Sequence, residues 1–268
     1  MTQTVPQEET EVNEGIIYLE TIFYNYTYYC RNGMAILIKQ GGKSMRRPTI
    51  DQYLVSTCLL IIDELNISYK GYTKEELKKE ADEKFNEMDI TVRMGYPFKQ
   101  LVHYTVGESS KTKKEKKINH DLYIEQKDFK IEIKYLKNWK TPSNTWTATK
   151  TWSVFQQDFD WFMDEIDEGN KGKVAFVIGW FNCVKSFSQL IQLGKGSGAY
   201  PLVDERKLLH FPFLKRTKEP TRTIDLEYNY EVYAYRERTL NLINNRSQNY
   251  NFIFLGNDND KFHFVIYY

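Results

Sequence analysis

Cysteine is scarce in this chain of 268 residues: Cys30, Cys58 and Cys183 are the only three. They stand far apart and include no C-x-x-C pair, which excludes a disulfide framework and points to a reducing compartment such as the cytoplasm. The four histidines, His103, His120, His210 and His263, show no metal-ligand spacing. No apolar run approaches the roughly eighteen residues that a membrane-spanning helix requires. Residues 1–14 are polar and acidic, so they predict a disordered leader and no signal peptide. Charge of one sign is also missing, with 37 basic against 36 acidic residues. Any grip on a polyanion must therefore come from a local patch. The glycines at Gly194–Gly198 lack the spacing of a phosphate-binding loop and predict a mobile surface loop that closes on a substrate. No internal repeat is visible.

Hydrophobic residues make up 41% of the chain and aromatic ones 15%, enough to bury a sizeable core. Dense aromatic and aliphatic residues from Ile16 to Lys39 predict one or two buried helices. Arg46-Arg47 lies in a basic turn. Ile50, Leu54, Cys58, Ile61 and Leu65 recur at helical spacing over about 50–65. Thr73 with Glu76 forms a capping box that starts a charged helix running to about Met88. Alternating apolar residues over 90–106 predict strand, turn and strand. Lys173 to Trp180 is a continuous apolar run, the mark of a buried central strand. Trp152, Phe155, Phe159, Phe162 and Ile166 mark one face of a helix ended by Gly169. Tyr250–Leu255 and Phe262–Tyr268 form an antiparallel hairpin. These readings give one domain over 15–268, with a core at about 50–190 and a β-rich extension over 191–268.

The informative stretch is 118–136. A strand at about 118–125 carries Asp121. After a turn, Phe129–Leu136 alternates strictly, with Phe129, Ile131, Ile133 and Tyr135 on one face and Lys130, Glu132 and Lys134 on the other. Residues two apart on a strand project the same way, roughly 6.5–7 Å apart. In a suitable register, Asp121 sits across the hairpin from them. Two carboxylates and an ammonium around one small volume suit a hard cation such as Mg²⁺ or Mn²⁺ and phosphoryl chemistry. Five E-x-K triplets occur, at Glu76, Glu115, Glu125, Glu132 and Glu205. Only Glu132-Ile133-Lys134 lies inside an alternating strand.

Asp121 followed by Glu132-Ile133-Lys134 resembles the D…E-x-K signature of the PD-(D/E)XK nuclease superfamily. The order strand, turn, strand, helix, strand from 118 to 180 is similar to that superfamily's core. The resemblance covers about a quarter of the chain, and His120 stands where a proline often precedes the aspartate. It implies an α/β fold: a restriction-endonuclease-like mixed β-sheet flanked by helices, here with helical N-terminal and β-rich C-terminal additions. It also implies that Asp121, Glu132 and the Ile133 carbonyl ligate the metal and that Lys134 activates water. Gln157 and Trp161, four apart, resemble the Q-x-x-x-Y element of some members, with Gln157 supporting the lysine or a phosphate. Glu64 is the candidate for the acidic ligand that the superfamily often supplies from an upstream helix.

Residues 111–140 hold ten Lys against five acidic residues, a local charge of +5. Lys111, Lys113, Lys114, Lys116 and Lys117 are the candidate phosphate contacts, and a solvated loop is their alternative reading. The acidic residues of the following helix, Asp158 and Glu165 among them, predict a face turned mostly to solvent. The expected activity is Mg²⁺-dependent (or Mn²⁺-dependent) endonucleolytic cleavage of DNA, with RNA left open, by a possible homodimer in the cytoplasm. The alternatives are an inactive nuclease-like binding or assembly module, an enzyme whose pocket lies elsewhere, and an ordinary solvated face on the strand.

Overall fold

The computed structural model describes residues 26–31, 34–39, 50–98, 102–103, 109–110, 118–119, 121–124, 127–139, 147–196, 198–230, 236–241 and 247–268. The chain falls into two units, Met1–Arg46 and Arg47–Tyr268. The first holds strands β1 (Tyr26–Arg31) and β2 (Met34–Lys39), paired antiparallel with Arg31 opposite Met34. This corrects the expected N-terminal helices. Aromatic and β-branched residues dominate the first run, Ile36 and Ile38 alternate in the second, and the Asn32-Gly33 dipeptide between them is the sequence mark of a tight hairpin.

In the second unit, helix α1 (Ser56–Ser68) follows a helical lead-in, Ile50–Val55. It buries Cys58, Ile61 and Leu65, as the spacing predicts, and Ile62 beside them. Helix α2 (Lys74–Glu83) begins at the Thr73–Glu76 capping box. A second box, with Asn86 accepting from the Met88 N–H and Asp89 accepting from the Asn86 N–H, starts α3 (Glu87–Gly95). The charged helix therefore ends before Met88, and the strand expected from residue 90 is helical. Ile90 and Met94, four apart, are buried while Val92 between them is exposed, the helical period and not the strand one.

Short strands follow: β3 (Val102–His103), β4 (Ser109–Ser110), β5 (Ile118–Asn119) and β6 (Leu122–Ile124). Strand β7 (Phe129–Tyr135) leads to α4 (Ala148–Glu165) and then β8 (Val174–Phe181). Beyond these come α5 (Glu205–Leu208), β9 (Leu214–Arg216), β10 (Leu226–Tyr228), β11 (Arg236–Asn241), β12 (Ser247–Leu255) and β13 (Phe262–Tyr267). Gly194, at the start of the glycine loop, bridges to Val203, and a Cβ there would collide with the Pro201 ring.

The protein is a mixed α/β fold. Among the described residues, seven strands form one sheet in the order β11-β12-β13-β8-β7-β6-β3. Of these described strands only β7 and β8 pair in parallel, joined by the α4 crossover. The β12–β13 hairpin continues this sheet, because β13 pairs antiparallel with β8. Every residue of β8 is buried, as a strand covered on both faces requires. On one face, Phe181 and Tyr135 pack with Phe85 and Tyr69, and the Tyr135 hydroxyl donates to the Ala81 carbonyl of α2. On the other, Phe176 meets Phe155 and Phe159 of α4. Burying these rings, each worth about 1.5–3 kcal/mol, fixes α4 over the face of β7 that carries Glu132 and Lys134.

Candidate active site

The candidate site grows from a mismatch in strand length. Strand β7 has seven residues but β6 only three, pairing Leu122 with Ile131 and Ile124 with Phe129. Past Leu122 the chain bends, so Asp121 falls one step beyond the pairing, level with Glu132. The edge of β7 that faced β6 would then carry unmet backbone donors, which are costly when buried. Carboxylates meet them. Asp121 Oδ2 accepts from the Ile133 N–H at 2.7 Å, and Glu87 Oε2, from the first turn of α3, accepts from the Tyr135 N–H at 3.1 Å. A strand residue's N–H and C=O point to the same edge, so the Ile133 carbonyl faces the side where Asp121 lies.

Glu132 and Lys134 project from the α4-covered face. Lys134 Nζ lies 3.0 Å from Asp158 Oδ2 and 3.4 Å from Glu87 Oε2. Glu132 Oε2 is buried and has no hydrogen-bond partner among the described residues. Four carboxylates, Glu87, Asp121, Glu132 and Asp158, thus crowd one ammonium. Burial, then the charges of Asp121 and Asp158, push the Glu132 carboxyl up to about 9. Burial also raises Asp121 to about 6, against the hydrogen bond from Ile133. Asp158 is raised, chiefly by burial. For Lys134, burial pulls downward, but Glu87 and Asp158 outweigh it and hold the ammonium protonated above its ordinary range.

Hard carboxylate oxygens, mutual repulsion and an orphaned buried oxygen on Glu132 fit a divalent cation. Asp121 and Glu132 are the two that could hold one. Among the described residues, no group of three or more His, Cys, Asp or Glu side chains is placed to hold a metal ion. Mg²⁺ commonly takes only one or two carboxylates and completes its shell with water and substrate phosphate.

Asp121, Glu132, Ile133 and Lys134 are thus brought together. The other expected residues are not. Glu64 is half exposed and pairs with Arg93, whose Nε and Nη2 reach it at 3.2–3.3 Å; the upstream acid at the cluster is Glu87. Gln157 is exposed, and the α4 side chain that meets Lys134 is its neighbour Asp158. Trp161 is buried. Lys111, Lys113, Lys114, Lys116, Lys117, His120 and Arg46 lie outside the described residues.

Two site residues escaped the sequence reading. Glu87 stands directly after Asn86, and the Asn86-x-x-Asp89 box would have placed it in the first turn of a helix. Asp158 lies three residues after Phe155 and four before Phe162, at the border of the apolar stripe. It is not a solvent-facing acid, and neither is Glu165, which is buried and bonds Lys130 Nζ at 2.8 and 3.0 Å. Comparison with family models, with curated proteins and with solved structures found no match to the chain.

Proposed function

We propose that the chain is a metal-dependent endonuclease that hydrolyses DNA phosphodiester bonds, built on a restriction-endonuclease-like core. The observation that carries this reading is the meeting of Asp121, Glu132 and Lys134 where β7 outruns β6, in a carboxylate-rich cluster where the buried Glu132 Oε2 has neither a hydrogen-bond partner nor an ion pair among the described residues. Asp121 and Glu132, with the Ile133 carbonyl beside them, would hold Mg²⁺ or Mn²⁺. When bound, the cation supplies charge stabilisation at a phosphoryl oxygen and makes water more acidic. Lys134 supplies a fixed positive charge to offset negative charge developing on the phosphate. Asp121 orients itself through the Ile133 N–H, and Glu87 through the Tyr135 N–H. The lysines from Lys111 to Lys117 are the proposed grip on the DNA backbone, a contact that weakens with salt. A homodimer in the cytoplasm would let two such sites cut both strands of a duplex.

A catalytically silent module of the same fold, binding nucleic acid or assembling with partners, is the second reading. The pairing of Lys134 with two carboxylates favours it, because structural ion-pair networks also produce perturbed acids. One experiment separates the two. Plasmid DNA, single-stranded DNA and RNA are incubated with the full chain and Mg²⁺ or Mn²⁺, beside Glu132→Ala and Lys134→Ala. Cation-dependent cutting of DNA that both substitutions abolish is the expected result. Cutting of RNA alone would change the substrate. Binding without cutting, together with no cation uptake by calorimetry, would leave the silent module.

A further inference from the structure

Glu132 and Lys134 stand two residues apart on one face of β7, a spacing at which a carboxylate and an ammonium are free to pair. They do not. Among the described residues, Glu132 Oε2 has no hydrogen-bond partner, while Lys134 pairs with Asp158 and Glu87. Of these two, Asp158 is the nearer, at 3.0 against 3.4 Å, and its side chain is 19% exposed against 39% for Glu87. Glu87 Oε2 is also committed to the Tyr135 N–H. The backbone behind Asp158 is anchored, because Phe155, Phe159 and Phe162 around it on α4 are fully buried.

We propose that Asp158 is a positioning residue of the active site: it draws the Lys134 ammonium away from Glu132 and so leaves that carboxylate open to a divalent cation. The proposal rests on the nuclease reading only in taking Glu132 as a cation ligand. Without the Asp158 charge, the ammonium has a buried carboxylate one strand repeat away and closes on it. An incoming cation must then displace the lysine before it reaches the Glu132 oxygens. The same contact explains why an acid, and not the neighbouring Gln157, faces the lysine. A neutral amide would not compete with Glu132 for a full positive charge.

The test is Mn²⁺ binding to the full chain, followed by calorimetry, in a double-mutant cycle. Wild type is compared with Asp158→Asn, Lys134→Met and the two combined, with Asp158→Glu as the conservative variant. Asp158→Asn is expected to weaken Mn²⁺ binding about tenfold when Lys134 is present and less than about threefold in the Lys134→Met background. Asp158→Glu, which keeps the charge and reaches further, restores affinity to within about threefold of wild type. Asp158→Ser repeats the comparison with a different side-chain shape, and urea midpoints verify that each variant is folded. An equal loss of affinity in both backgrounds would reduce Asp158 to one more negative charge and overturn its positioning role, leaving Glu132 as a ligand. A wild type that takes up no Mn²⁺ would overturn both this proposal and the nuclease reading.

Discussion

Replacing Glu132 with glutamine should make the protein more stable at neutral pH while weakening the proposed cation binding. In the unfolded chain the carboxyl ionises at its ordinary value of 4.5; in the fold, burial first and then Asp121 and Asp158 push it up to about 9. Between these values the folded chain holds a proton that the unfolded chain has released. The stability contributed by Glu132 is therefore fully present below pH 4.5 and is lost as pH rises through about 9, by about 1.4 kcal/mol per pH unit. At pH 7 the accumulated loss is about 3 kcal/mol, a large fraction of the 5–15 kcal/mol typical of a whole domain. Asp121, raised to about 6, titrates together with Glu132, so the slope belongs to the pair. The assay is the urea midpoint of wild type and Glu132→Gln at pH 5, 7 and 9 with a chelator present. The variant should show a flatter profile and the higher midpoint at pH 7. Adding Mg²⁺ should raise the wild-type midpoint and narrow the gap, because a cation that binds only the folded state stabilises it. Parallel profiles for the two proteins across the whole range would refute the reasoning, since Glu132 would then carry no strain.

Three further outcomes follow from the scaffold. Lys130→Met leaves Glu165 buried without its cation and should cost about 3 kcal/mol in chemical denaturation, whereas Lys130→Met with Glu165→Leu should recover most of it; no recovery would show that the pair does more than neutralise a charge. Asn86→Ala removes the cap of α3 and should lower stability by about 1 kcal/mol, with amide exchange accelerated first in the turn that carries Glu87. Gly179→Ala would set a Cβ 2.7 Å from Phe262 Cε1 and 2.9 Å from Phe264 Cε1. A loss of about 1–3 kcal/mol is expected on thermal denaturation, and an unchanged midpoint would mean that those rings yield freely.

How far the sequence carried depended on which signal each element sends. Strand β7 announced itself because strict alternation over seven residues has one reading, and β8 because a continuous apolar run before a turn does too. The buried stripe of α4 was equally plain, from Phe155, Phe159 and Phe162. Strands β1 and β2 read as helices in the sequence because a dense apolar run has no clear period; the Asn32-Gly33 dipeptide between them is the signal that tells the two apart. Around the site, Asp121, Glu132 and Lys134 were legible from local spacing on one hairpin. Glu87 and Asp158 were not, because their meeting depends on how α3 and α4 settle on the sheet. No local pattern encodes that packing. It is decided by ring contacts such as Phe85 with Phe181 and Phe155 with Phe176, between residues distant in sequence.

The place of β13 beside β8 also has a consequence for how the chain comes to be folded during synthesis. Strand β8 is made long before its neighbour, with roughly eighty residues between Phe181 and Phe262, a wide gap for a pairing that completes a core. Throughout that interval β8 can pair with β7 and receive α4, but its opposite edge offers open backbone groups flanked by Phe176, Ile178 and Trp180. An unprotected apolar edge of this kind is what other nascent chains adhere to. Polypeptides interrupted between β8 and β13 should therefore accumulate as aggregates or as clients of chaperones, and the central sheet should lock only when the β12–β13 hairpin has emerged.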